Sequence, residues 1–264
     1  MISISERLSE FTYGYGVVEE TRRLLETVGW NAVPFLPSLV HEQEVGFDVA
    51  FSQPGAVLML QFKLGHQLSR FRRSHPGQPI PALARPFWRF QVDNGEHQFL
   101  RLWSSEVLGA EVYYVAPRFA DWARYELLFR SGQVLQHSLL ITPSEIRNAT
   151  PGPTAEHRIV YDRSRRYVCS DPVETTDVKV DDLVQRITAR GAREDEPLAS
   201  TVKRLANEQT DGRAARRLSP RQREELRERA RTPVEGDAAV LALEAWLQGA
   251  QTIFVGQPVE LQTG

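Results

Sequence analysis

The stretch "GFDVAFSQPGAVLMLQFKLG", from Gly46 to Gly65, decides how this chain is read. Two short apolar runs flank a Pro54-Gly55 turn, and the spacing predicts a β-hairpin with strands near Phe47–Phe51 and Val57–Leu64. Side chains alternate along a strand. Leu58, Leu60, Phe62 and Leu64 therefore share one apolar face, and Val57, Met59, Gln61 and Lys63 share the other. In the first run Phe47, Val49 and Phe51 face one way and Asp48 the other. An acid, an amide and an amine thus interrupt two strands that are otherwise core. Whether Asp48 falls beside Gln61 and Lys63 depends on register, which the sequence leaves open.

Working outward, "GVVEETRRLLETV" has helical spacing at Val17, Leu24, Leu25 and Val28, with Gly29 placed to stop the helix. "FTYGYG" before it, Phe11 to Gly16, reads as a tight entry turn packed on the core. "NAVPFLPSL", from Asn31, is extended and broken by proline, hence a loop or edge segment. Beyond the hairpin, Ser69 to Pro86 is basic, then proline-rich, and reads as a surface loop. "FWRFQV" and "EVYYVAPRF" read as strands, and the segments from Gln98 to Leu108 and from Ala123 to Gly132 as helices. Further strands are expected near Ser138–Ile141 and Arg158–Cys169. After about Asp171 the chain turns to charged helical segments, then an apolar helix, "GDAAVLALEAWLQGA", and a closing strand at "TIFVGQPVEL". This order predicts an α/β fold: a mixed β-sheet flanked by helices in residues 1–170, and a mainly helical C-terminal part in residues 171–264.

A net charge of −2 over 264 residues excludes a global polycation, so any nucleic-acid binding must come from a local patch. The single cysteine, Cys169, allows no intrachain disulfide and no cysteine-based zinc site. No window approaches the roughly 18 apolar residues of a membrane span, and the expectation is a cytoplasmic protein with no membrane association. Lysine occurs only at Lys63, Lys179 and Lys203, and every other basic residue is arginine, a usage that fits a GC-rich bacterial genome. Against that background Lys63, placed among strand residues, points to a chemical role. Its bland alternative is a basic side chain snorkelling from a strand end.

An acid and an amine held together on a sheet are the minimum for metal-assisted phosphodiester hydrolysis. "GFD", twelve intervening residues, then "QFK" resembles the PD-(D/E)XK nuclease superfamily, with its restriction-endonuclease-like fold, in the Q-x-K branch seen in Mrr-type restriction enzymes. The order helix, three-stranded meander, helix, strand over roughly residues 11 to 120 adds to the resemblance. The resemblance implies Asp48 as a ligand of Mg²⁺ or Mn²⁺, Gln61 as an auxiliary ligand and Lys63 as the residue that orients the attacking water. It also implies a further acid, Glu20 from the first helix, with Glu19 behind it, or Glu44. No proline precedes Asp48, and Gln61 stands where the family has an acid, which gives a metal less charge compensation.

Arg70, Arg72 and Arg73, in "RFRRSHPG" with His75, follow the motif strand and are the candidates for contacting a phosphate backbone. The alternative for them is a solvated loop. None of the six histidines has a metal-ligand spacing. The functional expectation is a metal-dependent nuclease acting on DNA in restriction, anti-phage defence or repair. The rival is a catalytically degenerate nuclease-like fold that binds nucleic acid or protein. The C-terminal helices, above all "AVLALEAWL", would serve that rival as a surface for a protein partner or a second copy.

Overall fold

Helix α1, Glu10–Thr27, begins earlier than the apolar spacing alone places it. The predicted entry turn "FTYGYG" lies inside the helix, because Gly14 and Gly16 each admit an aromatic ring against the backbone. A Cβ on Gly14 would sit 2.8 Å from ring carbons of Phe62, and one on Gly16 would sit 2.8 Å from the Tyr125 hydroxyl. Gly29 stops the helix as expected, at φ 87°, while the N–H of Trp30 reaches back to the Leu25 carbonyl at 3.0 Å.

The computed structural model describes residues 8–35, 47–73, 75–92, 98–150, 157–169, 172–193, 196–211 and 218–257. Eight helices and ten strands alternate through them, so the chain is α/β as predicted. Among the described residues no helix is long and apolar enough to cross a membrane.

The chain divides into two compact units that are interleaved in sequence. The first comprises Met1–Thr21, Phe62–Phe99 and Tyr113–Val180. Its strands β3 (His66–Leu68), β4 (Phe87–Val92), β7 (His157–Tyr161), β8 (Arg166–Cys169) and β9 (Pro172–Glu174) form a sheet in that order, antiparallel throughout. Strand β6 (Ser138–Ile141) pairs antiparallel with β5 (Glu111–Pro117). Helix α3 (Trp122–Arg130), capped by Asp121 on the N–H of Arg124, and helix α4 (Pro143–Ala149), capped by Thr142, complete its main elements. The core is aromatic: Tyr13, Tyr113, Tyr114 and Tyr161 are all fully buried. Two of their hydroxyls are held by specific partners. Tyr13 donates to Ser138 at 2.6 Å, and Tyr161 donates to the Pro117 carbonyl at 2.9 Å.

The second unit comprises Arg22–Gln61, Leu100–Val112 and Asp181–Gly264. In it β10 (Ala250–Gly256) lies between β1 (Asn31–Pro34) and β2 (Gly55–Phe62), antiparallel to both. Here the predicted hairpin fails. Residues 47–51 form a bend and turn, not a strand, because the edge of β2 that they were to use is taken by β10. The apolar alternation nevertheless holds: Phe47, Val49 and Phe51 are buried and Asp48 is exposed. Phe47, Phe51 and Phe254 form a mutual edge-to-face cluster with centroids 5.0 to 5.8 Å apart. Such pairs contribute about 0.5–1.5 kcal/mol each beyond their area.

Helices α5 (Val180–Gly191), α6 (Leu198–Asp211), α7 (Pro220–Arg229) and α8 (Pro233–Leu247) belong to the same unit, save the first residue of α5. Helix α8 is apolar on all sides, and Ala238 through Ala242 are fully buried against α6, α7 and β10. The "AVLALEAWL" stretch is therefore core of its own unit, not the outward docking face expected from sequence; only Trp246 and Leu247 at its end are exposed.

Gly14→Ala tests the packing of α1. Alanine normally improves a helix by about 1 kcal/mol over glycine. Here the clash with Phe62 should reverse the sign and cost about 1–3 kcal/mol in urea unfolding. Adding Phe62→Leu should recover part of the loss.

Candidate functional site

On β4 and β7 the register pairs Arg89 with Val160 and Gln91 with Arg158, which puts both arginines on one face of the sheet. The opposite face, with Trp88, Phe90, Val92, Ile159 and Tyr161, is buried core. On the arginine face, Phe87, Val160, Tyr167 and Cys169 form a small second cluster, closed over by Leu68, Phe71 and Leu83. The cluster covers only part of the face. Beside it lies a cavity of about 640 Å³ whose lining includes Arg70, Arg72, Arg89, Arg158, Phe71 and Gln78.

The loop of residues 69–86 that roofs this cavity is fixed from the β7–β8 turn. Asp162 accepts the backbone N–H groups of Ala84 at 2.6 Å, Ser164 at 2.7 Å and Arg165 at 2.6 Å. Burial works against its charge, but these donors outweigh it and hold the carboxyl below the usual range. Arg165 adds a bond to the Ala82 carbonyl at 3.2 Å.

Among the described residues the arginines themselves have no such partners. Arg89 and Arg158 are half-buried on the floor, Arg70 and Arg72 are exposed on the roof, and no carboxylate is among the described residues that line the cavity. A cavity of about 360 Å³ in the second unit shows the contrast. There Arg190 is paired with Glu111 and Arg204 with Glu196, so two of the three arginines in the lining are answered by acids. Four guanidiniums around one concavity, with no acid to answer them among the described residues, would attract an anion, and each can bind an oxyanion through two N–H groups. Cys169 adds no nucleophile: burial pushes its thiol up to about 12, against the charge of Arg158.

Of the sequence candidates for phosphate contact, Arg70 and Arg72 line the cavity, while Arg73 turns to the Pro76 carbonyl at 3.4 Å. Arg89 and Arg158 were missed. The signal was present, an arginine within each of two strand patterns, "FWRFQV" and "HRIVY", but nothing in the sequence pairs those strands.

Asp48 and Gln61, both in the second unit, are not brought together. The side-chain amide of Asn31 donates to the Asp48 carbonyl, and Asn31 pairs with Gly256 on β10. Gly256 in turn pairs with Gly55, and Gln61 lies six positions further along β2; at about 3.3 Å per residue, Asp48 and Gln61 are roughly 20 Å apart. Gln61 is buried at the end of β2, opposite Ala250. Lys63 follows, partly buried, with its backbone N–H on the Val115 carbonyl at 3.0 Å. Glu20 accepts the Leu135 N–H at 2.9 Å. Burial raises its pKa, only partly opposed by the backbone N–H groups of Leu135 and Val134. Glu44 lies outside the described residues. The acid found beside the Q-x-K stretch is one not anticipated: Glu10, at the first turn of α1, accepts the Leu64 N–H at 3.3 Å.

Comparison with family models, with curated proteins and with solved structures finds no match to this chain.

Glu20→Gln separates packing from ligation. A carboxyl whose folded pKa is raised favours the neutral form, so its ionisation costs stability as pH rises past the ordinary carboxylate range. The amide keeps an acceptor for Leu135. The variant should equal or exceed the parent in stability at pH 7, with the difference vanishing toward pH 4, measured by denaturant unfolding across pH.

Proposed function

We propose that this protein binds nucleic acid through the arginine-lined face of the β3-β4-β7-β8-β9 sheet. The observation that carries the reading is the convergence of Arg70, Arg72, Arg89 and Arg158 on one cavity with no acid among the described residues that line it. In a chain of net charge −2, such an isolated patch supplies the local positive field that a polyanion requires. The apolar half of the face, with Phe71 and Leu68, offers a surface for a base. The restriction-endonuclease-like resemblance is compatible with a phosphate-handling role, but the separation of Asp48 from Gln61 removes support for metal binding by that pair.

Fluorescence anisotropy with labelled single-stranded and duplex oligonucleotides, titrated against salt, tests the reading. Arg89→Gln with Arg158→Gln should weaken binding about tenfold or more and flatten the salt dependence by one or two phosphate contacts. No binding by the parent at low salt, or undiminished binding by the double variant, would refute it.

A second reading, metal-dependent phosphodiester hydrolysis, is favoured by one contact: Glu10 bonds the residue next to Lys63. Glu10 would then hold the Mg²⁺ or Mn²⁺, and Lys63 would orient the water. On this reading supercoiled plasmid is nicked in Mg²⁺ or Mn²⁺ but not in EDTA. Glu10→Gln and Lys63→Ala abolish the nicking, and Asp48→Ala leaves it intact. A parent protein that nicks no plasmid under any of these conditions counts against it.

A further inference from the structure

The cavity has an end. Its apolar side is closed where Leu68, Phe71 and Leu83 pack onto Phe87, Val160, Tyr167 and Cys169. A polynucleotide entering from the arginine side meets this packed wall. The volume of about 640 Å³ is that of a small-molecule pocket and suits one or two nucleotides rather than a length of backbone. The roof cannot simply lift away, because Ala84 and Ala82 are tied to the β7–β8 turn through Asp162 and Arg165.

Charge leads to the same occupant. An internal phosphodiester carries a single negative charge. A terminal phosphomonoester carries nearly two at neutral pH, with its second ionisation near pH 6, and presents three acceptor oxygens. Four guanidiniums lining one concavity, two on the sheet floor and two on the roof, exceed what one diester needs and match a dianion held from several sides.

We infer that this cavity receives the phosphorylated end of a nucleic-acid strand: the terminal phosphomonoester among Arg70, Arg72, Arg89 and Arg158, and the terminal base against Phe71 and Leu68. The inference rests on the nucleic-acid reading above and deepens it, since a site of this kind selects ends over interior sequence.

The test uses the full chain and one single-stranded oligonucleotide in three forms, with a 5′-phosphate, a 3′-phosphate or hydroxyls at both ends. A label on an internal base leaves each end free. One phosphorylated form should bind about tenfold tighter than the hydroxyl form, the scale of a single lost charge-assisted contact. The preference should grow between pH 5.5 and 7.5 as the monoester takes its second charge. Arg158→Gln and Arg89→Gln should erase the preference while leaving residual binding of the hydroxyl form. Arg72→Gln, on the exposed loop, gives the same readout should a strand variant fail to fold. Equal binding of all three forms overturns the end-binding inference and leaves nucleic-acid binding standing. Failure to bind any form overturns both.

Discussion

The antiparallel pairing of β10 with β2 is the constraint on which the second unit depends. Seven residues at the end of the described chain, Ala250–Gly256, occupy the place beside Gly55–Gln61 that a local hairpin would have filled. Displaced from the ladder, residues 47–51 must find other partners for their backbone. The N–H of Phe47 reaches the Glu235 carboxylate at 3.4 Å, the N–H of Ala50 reaches the Gln257 carbonyl at 3.0 Å, and Arg231 bonds the Phe47 carbonyl at 3.4 Å. Glu235 also accepts from Arg231 at 2.9 Å, so the first turn of α8 clamps the segment. Asp48 is exposed at the far end of β2 from Gln61 as a direct consequence.

In the first unit the governing question is which charges are answered. Asp177, almost wholly buried, is met by Arg118 at 2.6 Å, Arg166 at 3.1 Å and Lys179 at 3.1 Å. Burial alone would raise its pKa, but hydrogen bonds from Arg118 and Lys179 with the charges of Arg118 and Arg166 hold it below the usual range. That cluster is structural: removing the acid would leave two largely buried guanidiniums, Arg118 and Arg166, without it. The arginines on the opposite side of the functional distinction, Arg89 and Arg158, are set into a sheet with no acid among the described residues to meet them. Desolvating a guanidinium without a partner is unfavourable, and a fold that retains two on one sheet face gains from an anion that completes them.

Most of the local structure was legible in the sequence because it follows from short-range periodicity. "FWRFQV", "EVYYVAP" and "SLLI" form strands at the places their alternation or apolar runs indicate, and Gly29 stops α1 because few residues other than glycine adopt its positive φ. The extent of α1 was less legible: two glycines read as a turn, when their purpose is to let Phe62 and Tyr125 approach the helix. Half of the candidate site was likewise visible, in Arg70 and Arg72, since a basic loop is conspicuous in a chain without general positive charge.

What the sequence alone determined was the class of the fold, the helices other than the short α4, most strands, and which residues along Phe47–Phe51 are apolar inward and polar outward. Those properties depend on neighbours a few positions apart. Tertiary structure decided which strands pair, and so which polar residues meet. It brought β10 to β2 from about 190 residues away, separated Asp48 from Gln61, placed Glu10 at Leu64, and aligned Arg89 with Arg158 beneath a loop carrying two more arginines. Pairing over such separations is fixed by the competition of whole faces for burial, and no single stretch of sequence contains both competitors.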